Sequence, residues 1–149
     1  MKEIIFQRER FSKELVDEIM PITEAHFQEV AQFEDIRPDV NLGEYQILDK
    51  TDKLRIYTAR NGRLVGYAVF VVHDHPHYGV KAATQTLLYL MPHVRTGMTG
   101  MMFLRACDEK LKGDGVKLIY HSSSEKKDIT PLLKRIGYEK IEEMWGRRI

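Results

Sequence analysis

Two runs of β-forming residues stand on either side of Asn61-Gly62, and this feature restricts the fold of the chain most tightly. Residues 54–60 read Leu-Arg-Ile-Tyr-Thr-Ala-Arg, and residues 64–72 read Leu-Val-Gly-Tyr-Ala-Val-Phe-Val-Val. β-Branched and aromatic side chains favour a pleated surface, and Asn-Gly supplies the positive φ angles that a tight hairpin turn needs. An antiparallel hairpin is therefore expected, and the remaining elements have to be built around it.

Before the hairpin, Ile4-Ile5-Phe6 reads as a short first strand. Ser12 is placed to cap a helix that begins at Lys13 and carries Leu15, Val16 and Ile19 as its apolar stripe. Pro21 is expected to end or kink that helix, and residues 23–33 form a second helical stretch with Phe27 and Val30 on one side. Residues 37–43 read as a loop and 44–49 as a short helical turn. After the hairpin, residues 83–91 form a strand that stops at Pro92. A helix over 99–112, with Met101, Leu104 and Leu111 on one face, is closed by Gly113. A strand over 116–121, a short helix over 129–136 ending at Gly137, and a last extended strand over 138–149 complete the chain, with Trp145 covering the sheet edge. This order predicts an α/β fold with a mixed sheet, antiparallel in its first half and then closed by a strand–helix–strand crossover. No linker, repeat or low-complexity segment divides residues 1–149, so one domain is expected.

Composition excludes several classes of function. With 149 residues and 43% apolar side chains a core is available, and a net charge of +1 supplies no whole-molecule field for nucleic acid or an anionic membrane. Cys107 is the only cysteine, which rules out an intrachain disulfide and a thiolate-rich metal site and suits a reducing cytosol. The N-terminal residues lack a signal-peptide run, and the longest apolar run, 67–72, is too short to span a bilayer. A cytoplasmic protein with neither membrane nor nucleic-acid partners is expected.

The segment from Leu88 to Gly100 runs from a strand through a turn into a helix N-terminus. Such a junction presents unpaired amides at the positive end of a helix dipole, which suits a phosphate or pyrophosphate. Gly97 and Gly100 remove Cβ atoms where a ligand would approach the backbone, and Arg95 adds a charge at the mouth. The same residues also read as a strand–helix turn with packing glycines and a solvated arginine, and the residues alone leave both readings open.

Leu90-Met91-Pro92-His93-Val94-Arg95 resembles the strand exit of the GNAT N-acetyltransferase superfamily, and Arg95 and Gly100 take the first and last places of that family's [RQ]-x-x-G-x-[GA] signature. The resemblance continues through Val65-Gly66, the helix end at Lys112-Gly113, and Leu132 to Tyr138 with its Gly-aromatic exit. The compact form, with His77-Tyr78 after the hairpin, is also similar to GNAT-like proteins of tailed bacteriophages. The middle glycine of the signature falls on Met98, the family's frequent acid tyrosine on Leu133, and its common asparagine near Lys126. The resemblance implies a three-layer fold, a mixed central β-sheet with helices on both faces. It implies an acyl-CoA-dependent N-acyltransferase moving an acetyl group from acetyl-CoA (coenzyme A) to a primary amine. Pantetheine would pair with backbone near Leu88 and Leu90, and the amides of Thr96, Gly97, Met98, Thr99, Gly100 and Met101 would hold the pyrophosphate beside Arg95. A catalytically silent GNAT-fold CoA-binding or virion-associated protein is the alternative that Met98 and Leu133 support.

The proton chemistry has several candidates. In His73-Asp74-His75-Pro76-His77-Tyr78, Pro76 breaks the alternation and no distant ligand is evident, so no metal site is expected. His77 is the candidate base because imidazole titrates near neutrality, with Tyr78 beside it as a substrate contact. Tyr138 is a candidate hydroxyl acid. His26 and Glu29 share a helix face, and the resemblance places that face along the acceptor site. Cys107 reads as core packing, and Ser122-Ser123-Ser124 lacks the elbow of a hydrolase. The acceptor is a small-molecule or protein amine, and the oligomeric state is left open, a dimer included.

Overall fold

The computed structural model describes residues 3–149. Strand β1 (Ile5–Glu9) is followed by helices α1 (Lys13–Val30) and α2 (Leu42–Lys50). Strands β2 (Leu54–Arg60), β3 (Leu64–Asp74) and β4 (Lys81–Leu90) come next, then α3 (Thr99–Gly113), β5 (Leu118–Tyr120) and α4 (Thr130–Arg135). The five strands lie in the order β1-β2-β3-β4-β5. The first three pairings are antiparallel, and β4–β5 is parallel across the α3 crossover.

Side chains alternate across this sheet and build a core on each face. Tyr57, Ala59, Ala68, Phe70 and Val72 face α3, where they meet Phe103, Cys107 and Leu111. Leu54, Ile56, Tyr67, Val69 and Tyr89 face the other way, against Leu15 and Ile19 of α1 and Tyr45 and Leu48 of α2. Helices therefore cover both faces of a mixed sheet, as the resemblance implies. Among the described residues no helix is long and apolar enough to cross a membrane.

The hairpin forms where its sequence predicts, with Arg60 opposite Leu64 and a bulge after Ala59. Only Gly62, at φ 97°, takes a positive angle in its turn, so the glycine alone and not the Asn-Gly pair supplies the left-handed residue. Ser12 caps α1 as expected, its Oγ accepting from the Leu15 amide at 3.1 Å. Pro21 does not end the helix: α1 runs through it to Val30. A proline costs the ladder one N–H, and here burial of Leu15 before it and of Thr23 and His26 after it holds the two halves as one element. The C-terminal segment differs more. Gly137, at φ 98°, turns the chain away, and residues beyond it form no strand. Trp145 is 86% exposed and does not cover the sheet edge. The tail instead reaches back to the end of α1, where the Arg148 guanidinium lies 5.3 Å from the centre of the Phe33 ring.

Candidate functional site

The site is built on a disagreement between β4 and its two neighbours. Toward β3 the register jumps from Val69↔Leu87 to Phe70↔Gln85, leaving Thr86 as the extra residue of a bulge. Toward β5 the pairing stops at Thr84↔Tyr120. Beyond that rung β4 and β5 part, and β4 keeps an unpaired edge over the six residues that lead to the loop. The wedge is bridged at its narrow end by His121, whose Nδ1 lies 3.2 Å from Oε1 of Gln85. Since the amide oxygen can only accept, Nδ1 carries the proton and Nε2 keeps a lone pair. That Nε2 is buried without a partner among the described residues, and burial lowers the pKa of His121 from 6.5 to about 4, so the ring is neutral. The sequence singled out His26, His73, His75 and His77 and placed His121 only as the end of the strand over 116–121, which closes one residue earlier, at Tyr120.

The Met91 amide donates to Val65 at 2.8 Å and so faces β3. Backbone groups alternate along a strand, which turns the N–H and C=O of Leu88 and Leu90 into the wedge. The carbonyl of Leu90 already accepts from Arg95 Nε at 2.7 Å. Among the described residues Leu88 therefore keeps both of its groups free, while Leu90 keeps only its N–H. Gly66 makes this exit possible: a Cβ there would come within 2.7 Å of the Tyr89 carbonyl and 3.3 Å of the Leu90 Cα.

A 3-10 turn at Pro92–Val94 carries the chain to the loop. The amides of Arg95 and Thr99 bond back to Pro92 and Thr96, at 3.1 and 3.3 Å, and that of Met102 opens the helical ladder on Met98 at 2.9 Å. Among the described residues the amides of Thr96, Gly97, Met98, Gly100 and Met101 have no intramolecular hydrogen bond. They converge at the N-terminus of a 15-residue helix, the arrangement that holds phosphate groups. Gly97 sits at φ 57° and makes the turn. A Cβ on Gly100 would meet only Leu132 Cδ2 at 3.5 Å and Leu90 Cδ1 at 4.0 Å, so this glycine leaves space without being required by the fold. Met98 points outward, 56% exposed, and fills none of that space.

Arg95 has a different position from the one its sequence suggests. Its Nη2 is bonded to both carboxylate oxygens of Glu29, at 2.8 and 3.0 Å, and its guanidinium lies 5.2 Å from the Tyr89 ring centre. The charge faces α1 and ties the loop to that helix. Glu29 is occupied by the same bond, and His26 is 3% exposed with Nδ1 2.8 Å from the Tyr67 hydroxyl. Neither His26 nor Glu29 lines the groove on that face, whereas Phe27, between them, does.

His77 and Tyr78 lie on the turn between β3 and β4, at the start of β4, whereas the amide loop follows its end. Ten residues of strand place them about 30 Å apart along the sheet. Within the turn, His75 stacks on Tyr78 at 4.4 Å and its Nδ1 accepts from the His77 amide at 3.1 Å. Among the described residues no three His, Cys, Asp or Glu side chains are grouped to hold a metal ion. The Tyr138 hydroxyl donates to Asp108 Oδ1 at 2.7 Å, and burial pushes its pKa up, as it does for the Cys107 thiol. The Leu133 amide continues α4 from Ile129 at 3.0 Å.

On the α1–α2 face a groove of about 320 Å³ opens beside the bulge, between the end of α1, α2 and residues Val71, Thr86 and Leu87. A second, smaller cavity of about 50 Å³ under α1 is lined by core side chains such as Leu15, Leu54 and Ile56 and shares Val40, Tyr45 and Leu87 with the groove.

No protein-family model matches the sequence, and no curated protein matches it. Solved structures do share its fold. A ribosomal-protein-alanine N-acetyltransferase from Brucella melitensis biovar Abortus 2308 superposes with a TM-score of 0.77 at 15% identity, covering 99% of this chain and 98% of its own. A predicted acetyltransferase from Clostridium acetobutylicum, solved with acetyl-CoA, gives 0.72 at 16% identity, with 98% and 96% covered. An aminoglycoside acetyltransferase from an uncultured soil metagenomic sample, in complex with sisomicin, gives 0.72 at 13% identity, with 98% and 97% covered. The chain has the fold of these acetyltransferases along nearly its whole length.

Proposed function

We propose that this protein is an acyl-CoA-dependent N-acyltransferase that moves an acetyl group from acetyl-CoA to a primary amine. One observation carries the reading: the unpaired edge of β4 leads directly into five unbonded amides at a helix N-terminus. A pantetheine chain needs an open strand edge to pair with, and a pyrophosphate needs converging N–H donors, in that order and one strand apart. Several proteins of the same fold are acetyltransferases, and one was solved with acetyl-CoA.

In this reading the N–H and C=O of Leu88 and the N–H of Leu90 hold the amides of pantetheine. The amides of Thr96, Gly97, Met98, Gly100 and Met101 hold the pyrophosphate, with Thr99 shaping the turn through its bonds to the Thr96 carbonyl. Arg95 acts as a positioning residue, since its side chain is committed to Glu29 and Leu90. Acetyl-CoA supplies an activated acyl group: the amine nitrogen forms a bond to the thioester carbon, the carbon–sulfur bond breaks, and the sulfur leaves with the electron pair. A thiol with a pKa near that of free cysteine, about 8.5, leaves as its anion without a dedicated acid. That suits a site in which Leu133 stands where a tyrosine is frequent and the Tyr138 hydroxyl is held by Asp108. With His77 on the far turn, the amine's proton passes to water in the wedge.

The reading is tested by calorimetric titration of acetyl-CoA into the protein and its Gly100→Val variant. The small clearance that Leu132 and Leu90 leave at residue 100 lets the variant fold but narrows the pyrophosphate's approach. Binding by the unaltered protein and a loss of about tenfold or more in the variant are expected. Equal affinity in a folded variant places the cofactor elsewhere.

A further inference from the structure

Proteins that share this fold act on acceptors as different as a ribosomal protein and aminoglycosides, so the fold does not choose the acceptor. The groove beside the bulge does carry chemistry that can. Its walls are apolar, with Phe27 and Val40 on one side and Leu48 and Leu87 on another. Its hydroxyl protons are spent inward: Tyr45 Oη donates to Thr86 Oγ1 at 3.1 Å, and Thr86 Oγ1 donates to the Val69 carbonyl at 3.3 Å. Toward the groove these hydroxyls offer lone pairs. The Asn41 Oδ1 is taken up in capping α2 through the Glu44 amide at 3.0 Å, leaving its NH₂ as the single side-chain donor. Among the described residues no lysine, arginine or histidine lines the groove. Among the described residues the Glu44 carboxylate makes no ion pair and accepts no side-chain hydrogen bond.

A concavity of acceptors with one free carboxylate and greasy walls suits a single cation carried on an apolar body. It lacks the several carboxylates a polycation would pair with, and any cation for an anion. Its volume is at the small end of ligand pockets. It lies one residue from the wedge: Leu87 lines it, and the next residue, Leu88, turns its backbone groups into the wedge. We infer that Glu44 selects a monoamine with an aromatic or aliphatic body as the acyl acceptor, in preference to polyamines and aminoglycosides. This inference rests on the transferase reading for the fate of the amine, but not for its binding.

The test reads binding rather than turnover. 15N-labelled protein is titrated with 2-phenylethylamine, with spermidine and with phenylacetate, and the amides of residues 41–48 and 86–87 are followed. Phenylethylamine should shift these amides and bind about tenfold tighter than spermidine, with phenylacetate showing no saturable shift. In Glu44→Gln, an exposed position in the first turn of α2, phenylethylamine should weaken about tenfold while CoA affinity is unchanged. Tighter binding of spermidine, shifts confined to other parts of the chain, or an unaltered Glu44→Gln affinity overturns the inference. CoA is titrated into the same samples. Amine binding at the groove without CoA binding leaves the amine site standing and removes the transferase reading, whereas CoA binding without amine binding removes this inference alone.

Discussion

At the scale of single residues, His26 shows how a polar group can be conspicuous in a sequence and belong to the core. Its ring stacks on Tyr89 at 4.9 Å and on Phe27 at 5.2 Å, and its Nδ1 is bonded to Tyr67. Burial lowers its pKa from 6.5 to about 4; nearby Glu29 opposes the shift and Arg95 adds to it. The unfolded chain therefore binds a proton that the folded chain refuses between those two values. Stability from this residue is complete above about pH 6.5 and is lost progressively as the pH falls toward 4. His121, neutral for the same reason, adds to the same loss. Urea midpoints should fall steadily across that window. His26→Gln, which keeps a polar partner for Tyr67 but does not titrate, should be less stable at neutral pH and show a shallower fall. A midpoint that is flat from neutral pH to pH 4.5 contradicts the buried neutral imidazoles. The neighbouring Arg95–Glu29 bond joins residues 66 apart in sequence. No local pattern encodes such a pair, which is why Arg95 reads as a phosphate-facing charge until the fold is known.

At the scale of elements, local signals were legible and long-range departures were not. The hairpin, the Ser12 cap, the crossover helix and the Gly137 turn all depend on residues within a few positions of one another, and each forms where its sequence points. Pro21 misleads because its helix-breaking tendency is local, whereas the burial of Thr23 and His26 that carries α1 past it is tertiary. The bulge at Thr86 and the parting of β4 from β5 have no signature in their own residues, although together they make the site. Gly66 is the exception, a single residue whose absence of a Cβ reports a close crossing of β3 and β4. A methyl group there has to displace the Tyr89 carbonyl and the Leu90 backbone, so Gly66→Ala should cost about 2 kcal/mol. The expected sign is a lowered urea midpoint together with weakened CoA binding, because the strand exit itself moves. A variant as stable as the parent denies that the crossing is tight.

At the scale of the whole molecule, the two faces of the sheet divide the work. The α3 side carries the amide loop and the narrow end of the wedge, the α1–α2 side carries the groove beside the bulge, and β4 is the shared wall between them. The apolar periodicity of α1 and α3 makes the layers legible in the sequence, whereas the residues of the loop leave an anion site and a plain strand–helix turn both open. The site's far ends were not readable. His77 and Tyr78 were drawn to the site by their chemistry, yet β4 separates them from the loop, and the groove draws its lining from α1, α2, β3 and β4 at once. The central claim is that coenzyme A lies along the free edge of β4 with its pyrophosphate on the amides that follow. Its most direct test is a 15N–1H titration with CoA. Saturable shifts are expected at Leu88, Leu90, Thr96, Gly97, Met98, Gly100 and Met101, with the His77 turn unmoved. Shifts centred on the His77 turn or the C-terminal tail, or no saturable shift at any amide, would contradict it.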